Sequence, residues 1–147
     1  ALYVPPGTVH VYLGGNAVEI TSNSDNVVRA GLTTKQVDSN EFISIVGFTP
    51  SIPDIQHSDS FEKRYEVPIG DFALTRIDMD GDWVALLTGP EILISTDGSF
   101  TITNAEGRTL HVQEGIPVWV PHSDIQYTLR GKALIFRGSI NTFEMAH

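Results

Sequence analysis

Short runs of alternating or continuous apolar residues, closed off by glycine, proline and small polar residues, dominate this chain, and that pattern predicts β-strands rather than helices. From Leu2 to Leu13 the residues are mostly apolar and β-branched or aromatic, broken only by Pro5-Pro6-Gly7. This reads as strand, tight turn, strand. After Gly14-Gly15 a further short strand is predicted over Ala17–Ile20, leading into the polar loop Thr21-Ser22-Asn23-Ser24-Asp25-Asn26, whose small side chains can bond their own backbone. Helical spacing occurs once: Val37, Phe42, Ile45 and Val46 share a face, with Asp38 or Ser39 as N-cap and Gly47 as the stop.

Residues 49–63, with Pro50, Pro53 and scattered Ser, Asp and His, read as a linker. Beyond it, strands are predicted over 72–78, 83–87, 91–95, 100–104, 109–112, 118–120, 126–129 and 133–137. Strands at such regular spacing imply a β-sandwich or small barrel. Asp97-Gly98 sits between two alternating runs and predicts a hairpin turn, and Glu106-Gly107 a weaker one. Asp78-Met79-Asp80-Gly81-Asp82 has the wrong glycine position for a calcium loop and lacks its terminal glutamate, so it reads as a turn between strands. Trp83 and Trp119 lie in strand patterns and are expected in the core rather than as sugar platforms.

An internal repeat adds to this picture. Laid without gaps over residues 117–136, residues 1–20 match at Val4/Val120, Pro5/Pro121, Leu13/Leu129, Gly15/Gly131 and Ala17/Ala133, with Tyr3 falling on Trp119. One supersecondary unit used twice predicts the tail of one β-domain followed by most of a second. His10 is replaced by Gln126 in the second copy and Glu19 by Ile135, so any chemistry of the first copy is lost from the second.

Composition narrows the partners. Of the 147 residues 41% are apolar and 18% charged, a globular balance, and the formal net charge is −9. A field of that sign disfavours nucleic acid and anionic membranes, and no run approaches the roughly 20 apolar residues that span a bilayer. The absence of cysteine leaves His, Asp, Glu or Gln as metal ligands and fits a cytoplasmic protein. The chain starts with Ala inside an apolar pattern, which reads as a fragment or a processed product.

Two stretches have chemical potential. His10 follows the rigid Pro5-Pro6-Gly7 turn at a predicted strand start, where an imidazole serves either as a ligand or as a structural histidine. Arg29 lies between Val28 and Ala30 behind a polar loop, with Lys35 close by. Such a loop is either a solvated surface or, because a guanidinium in an apolar run usually has an anionic partner, an oxyanion or phosphate site. His57, His111, His122 and His147 have no partner at metal-ligand spacing.

The run from His10-Val11-Tyr12-Leu13 through Glu19 to Ser24-Asp25-Asn26-Val27-Val28-Arg29-Ala30-Gly31-Leu32-Thr33 and Lys35 resembles the signature region of type I, zinc-dependent mannose-6-phosphate isomerases, which are cupins. The resemblance is dense over 5–35 and fades to a pattern-level likeness to the family's C-terminal cupin from about Arg64 onward. It implies that His10 is the last of four Zn2+ ligands, the others being a glutamine, a histidine and a glutamate from sequence not in this chain. It implies Arg29 and Glu19 as catalytic residues, and Tyr12 and Lys35 in the sugar-phosphate pocket. Thr34 stands where the family usually has proline, a departure that bears on the aim of Lys35. The activity implied is conversion of mannose 6-phosphate to fructose 6-phosphate through a cis-enediol, a carbohydrate-metabolism isomerase of the cytoplasm.

The expected fold is therefore all-β, a cupin jelly roll with one short helix near the N-terminal third. Residues 1–48 would end a catalytic cupin, 49–63 link, and 64–147 form a degenerate C-terminal cupin without metal. The isolated chain is expected to lack a complete active site, to need the missing N-terminal half of the enzyme, and to form homodimers through strand surface exposed over 2–13. The competing reading is a non-catalytic cupin module that binds a sugar or a protein partner.

Overall fold

The computed structural model describes residues 1–24, 26–50 and 52–140. Asp25 of the polar loop, Ser51 of the predicted linker and His147 lie outside them. The chain divides into two compact units, Ala1–Gln56 and His57–His147. The fold is mostly antiparallel β-sheet with one short helix.

In the first unit the helix α1 spans Ser39–Ile45, and the Asp38 carboxylate accepts a hydrogen bond from the Glu41 N–H as its N-cap. The cap answers one of the N–H groups that a helix start leaves unpaired. The helix ends at Val46, whose extended backbone breaks the turn, so Gly47 lies one residue beyond the stop. The strands predicted over 2–13 and 17–20 do not form among the described residues: a single bridge, Leu2 to Ile55, is the only ladder contact there. A strand is held by a neighbour's backbone groups, and this unit supplies no edge for those residues to pair with. Val9, Val11, Tyr12 and Leu13 are accordingly exposed, Leu13 at 92%. The repeated sequence of residues 1–20 and 117–136 therefore takes two different conformations.

Among its described residues the second unit holds six strands: β1 (Glu62–Arg64), β2 (Ala73–Leu86), β3 (Glu91–Asn104), β4 (Thr109–Val112), β5 (Val118–Val120) and β6 (Gln126–Ser139). Their order is β1-β2-β6-β3-β4, with β5 on the same edge of β3 as β4 but at its other half. Strand β1 begins inside the stretch read as linker. Three pairs of predicted strands are continuous 14-residue strands instead. Met79 is 1% exposed in the middle of β2 while Asp78, Asp80 and Asp82 point outward to Arg76, Lys132 and Arg130. The aspartates thus sit on the solvent face of a strand rather than in a turn.

Asp97-Gly98 is likewise no hairpin. Ile135 pairs with Ser95 and Leu134 with Asp97, so β3 carries one extra residue at this point. Because side chains alternate with a period of two, one extra residue moves the inward set from Glu91, Leu93 and Ser95 to Phe100 and Ile102. Without the bulge Phe100 would face water. The Ser95 hydroxyl, fully buried, lies 2.8 and 2.9 Å from the carbonyls of Asp97 and Gly98 and donates to one of them. Gly81 pairs with Gly131 beside it, both at positive φ, so the long strands turn along one line. Residues from both sides of that line, including Ile77, Leu93 and Ile135 on one and Phe100, Tyr127 and Leu129 on the other, form a single core. Glu106-Gly107 does turn a hairpin, from β3 to β4, with the Gly107 N–H donating to the Asn104 carbonyl.

Trp83 packs against this core, as expected. Trp119 does not: it is 59% exposed, because Val118 and Val120 flank it on a three-residue strand and Val120 takes the inward position.

Candidate functional site

The residues singled out by sequence lie in the first unit, on backbone without regular structure. His10 and Tyr12, two apart in an extended run, face one another edge to face with ring centroids 6.3 Å apart. The imidazole Nδ1 is 3.2 Å from the Thr8 carbonyl oxygen. A carbonyl can only accept, so Nδ1 is the donor in that contact and Nε2 is the ring nitrogen not used by it. Glu19, from the next predicted strand, lies close enough to the Tyr12 phenol to act on it through charge and hydrogen bonding. His10, Tyr12 and Glu19 thus form one polar corner, open to solvent.

The phenol of Tyr12 is held above the ordinary tyrosine range, by desolvation first and then by the charge and hydrogen bond of Glu19. Replacing Glu19 by Gln removes the charge, so the Tyr12 phenol should ionise at lower pH than in the parent, though still above an isolated tyrosine because desolvation remains. Ultraviolet titration of phenolate, with a Tyr12→Phe chain to assign the signal, reads this directly. An unchanged Tyr12 titration in Glu19→Gln would separate the two side chains.

Arg29 is half-buried, and its guanidinium donates to the Val27 carbonyl at 3.3 Å. Its own carbonyl accepts from the Asp38 N–H at 3.2 Å, which ties the arginine segment to the start of α1. Lys35 is exposed, and its N–H donates to the Thr33 hydroxyl at 3.1 Å, a local turn that occupies the place of the family's proline. Leu32, between them, has φ of 55°, the one non-glycine residue with positive φ among those described. That conformation costs on the order of 1 kcal/mol for a residue with a Cβ. No contact among those described brings Arg29 or Lys35 to the corner of His10, Tyr12 and Glu19.

Among the described residues no three His, Cys, Asp or Glu side chains gather into a metal-sized group. A zinc site needs three or four protein ligands, so the described residues of this chain do not fit zinc by themselves.

A second polar cluster, which the sequence reading missed, lies inside the second unit. The Tyr127 hydroxyl donates to Glu91 at 2.6 Å, both residues being buried. Arg137 extends over the Trp83 ring at 5.1 Å and donates to Glu62 at 3.2 Å, and the Trp83 indole N–H donates to the same carboxylate at 3.3 Å. The signal was present in the alternation: Glu91 and Arg137 occupy inward phases of their strands.

No protein-family profile matches the chain. Among curated proteins it is 31% identical to rat mannose-6-phosphate isomerase over 69% of this chain and 26% of that protein. It is 28% identical to the mannose-6-phosphate isomerase of Escherichia coli K12 over 93% of this chain and 36% of that protein. The chain thus spans about a third or less of the length of these relatives. Among solved structures, mannose 6-phosphate isomerase from Salmonella typhimurium, bound to fructose 6-phosphate and zinc, superposes with a TM-score of 0.69 at 24% identity. That likeness covers 82% of this chain and 32% of the other, and shows a shared cupin-like β fold.

Proposed function

We propose, from the premise that this chain is a homologue of the mannose-6-phosphate isomerases over 93% of its length, that it forms the C-terminal part of an enzyme interconverting mannose 6-phosphate and fructose 6-phosphate. The observation that supports this reading best is the corner where an oriented imidazole, a phenol and a carboxylate meet. Each belongs to the segment whose residues resemble the signature region of that family.

In this reading His10 contributes one ligand to a zinc site whose remaining ligands come from sequence outside this chain. An aldose-ketose isomerisation removes the proton from C2 and returns it to C1, with a hydroxyl proton moving between O1 and O2. Glu19 is the carboxylate that moves a proton, and the Tyr12 hydroxyl holds it in place. Arg29 places its guanidinium at the developing enediolate oxygen, where a fixed cation is stabilising. Lys35 holds the phosphate as a point charge, and offsets locally the net charge of −9 that would repel a sugar phosphate.

Because the corner is open to water and no three metal-ligand side chains gather among the described residues, the chain alone should show no turnover. A coupled assay for conversion of mannose 6-phosphate, with and without added zinc, should match the protein-free control. Activity should appear when a polypeptide bearing the glutamine, histidine and glutamate ligands is supplied. Zinc-dependent turnover by this chain alone would overturn the split-site reading. Failure of the completed protein to turn over substrate would favour a non-catalytic module.

A further inference from the structure

The second unit carries a feature that the isomerase reading does not use. Between the β3–β4 hairpin and the β5–β6 connection lies a groove of about 170 Å3, with Ile102 and Tyr127 on its floor and Leu110, Trp119, Asn104 and Asp124 around it. Small-ligand sites combine apolar walls with a few convergent polar groups. The volume is below the roughly 300–1,000 Å3 of drug-sized pockets, which suits one ring rather than a chain of them.

The chemistry of the lining selects the ring. Trp119 is 59% exposed and lies outside the core cluster. Asn104 and Asp124 are half-buried, and the Asn104 amide reaches the Asp124 carboxylate only at 3.4 Å. The Asn104 side-chain oxygen is already used, accepting from the N–H groups of Glu106 and Arg108. The carboxylate is therefore the acceptor with capacity to spare. A wholly apolar occupant would strip water from Asp124 and return no hydrogen bond, which is costly. An anion would meet that carboxylate, and Arg108, the cation that lines the groove, is paired with Glu106 at 2.8 Å. A neutral polyol with one apolar face meets both demands.

We propose that this groove binds a single neutral pyranose, its apolar C–H face on Trp119 and its hydroxyls donating to Asp124. The groove shares no residue with the corner of His10, Tyr12 and Glu19 and does not depend on the isomerase reading. Titration of the whole chain with methyl α-D-mannopyranoside and methyl α-D-glucopyranoside, followed by heteronuclear NMR, should give saturable shifts at the Trp119 indole N–H while the Trp83 indole stays still. Trp119→Ala and Asp124→Asn should each weaken binding by about tenfold, the scale of a single hydrogen bond or stacked ring, with the thermal unfolding midpoint unchanged. Hexose 6-phosphates should shift the Trp119 indole N–H with no tighter binding than the neutral glycosides. Absence of saturable shifts, affinity in both variants equal to the parent's, or tighter binding of the phosphate read at Trp119 would each overturn the proposal. Shifts confined to His10, Tyr12 or Arg29 would do so as well, by placing the sugar in the other unit.

Discussion

Tyr127→Phe should destabilise the His57–His147 unit by about 2–3 kcal/mol, the range for removing a hydrogen bond to a charged group, although it deletes one oxygen atom. Tyr127 is 1% exposed and Glu91 5%, and the 2.6 Å separation of phenol and carboxylate is that of a charge-assisted O–H···O bond. Phenylalanine fills the same space, so no cavity forms. What changes is that the Glu91 carboxylate stays in the interior without its donor, and a buried acceptor left unmet costs more than the bond was worth. For a unit of this size the unfolding midpoint should fall by roughly 10–20 °C. The double variant Tyr127→Phe/Glu91→Leu should recover much of the loss, since replacing both partners by apolar groups removes the unmet demand. A single variant as stable as the parent would show that Glu91 has another donor.

The same pair sets an alkaline limit. Burial, and then the hydrogen bond to Glu91 and its charge, push the Tyr127 phenol far above the ordinary tyrosine range. In the unfolded chain the phenol ionises near its usual value of about 10. The contribution of this group is therefore complete below about pH 10 and declines as the pH rises further, because only the unfolded chain releases the proton readily. Urea unfolding as a function of pH should show that decline in the parent and a shallower one in Tyr127→Phe.

Gly98→Ala is the other large effect, with an expected loss of about 3–5 kcal/mol, combining backbone strain with overpacking. A Cβ at this position would stand 2.2 Å from the Lys132 carbonyl oxygen and 3.2 Å from the Ala133 Cα, both backbone atoms of β6. The residue also has φ of 73°. Gly107→Ala supplies the comparison: its φ is 80°, yet nothing lies within 4 Å of the added carbon. It should lose only about 1 kcal/mol, the strain by itself. The difference between the two denaturation midpoints measures how closely β6 approaches the bulge. Equal losses would mean that β3 and β6 are farther apart there than the ladder indicates.

The two outcomes at Gly98 and Gly107 also separate what was legible in the sequence. Each glycine was readable as a position of positive φ, and each has one. Whether the chain reverses there was not readable. At Gly107 the flanking residues pair with each other, Thr103 with Thr109. At Gly98 both flanks pair with the same third strand, β6, which arrives from far along the chain. The strand periods over 72–137 survived in the structure because alternation belongs to the strand itself, whereas their fusion into long bent strands depends on partners.

For the candidate site the division is similar. The sequence determined the strand-rich class of the second unit, a helix capped at Asp38 or Ser39, and the residues His10, Tyr12, Glu19, Arg29 and Lys35 as a chemical set with a family resemblance. Those features are local or compositional. The folded arrangement alone set the meeting of His10, Tyr12 and Glu19, the exposure of Trp119, and the interior bond of Glu91 and Tyr127. It also decided that residues 2–13, with a strand's sequence, form no strand among the described residues. A side chain's periodicity says which face it prefers, but a strand exists only where another backbone completes its hydrogen bonds.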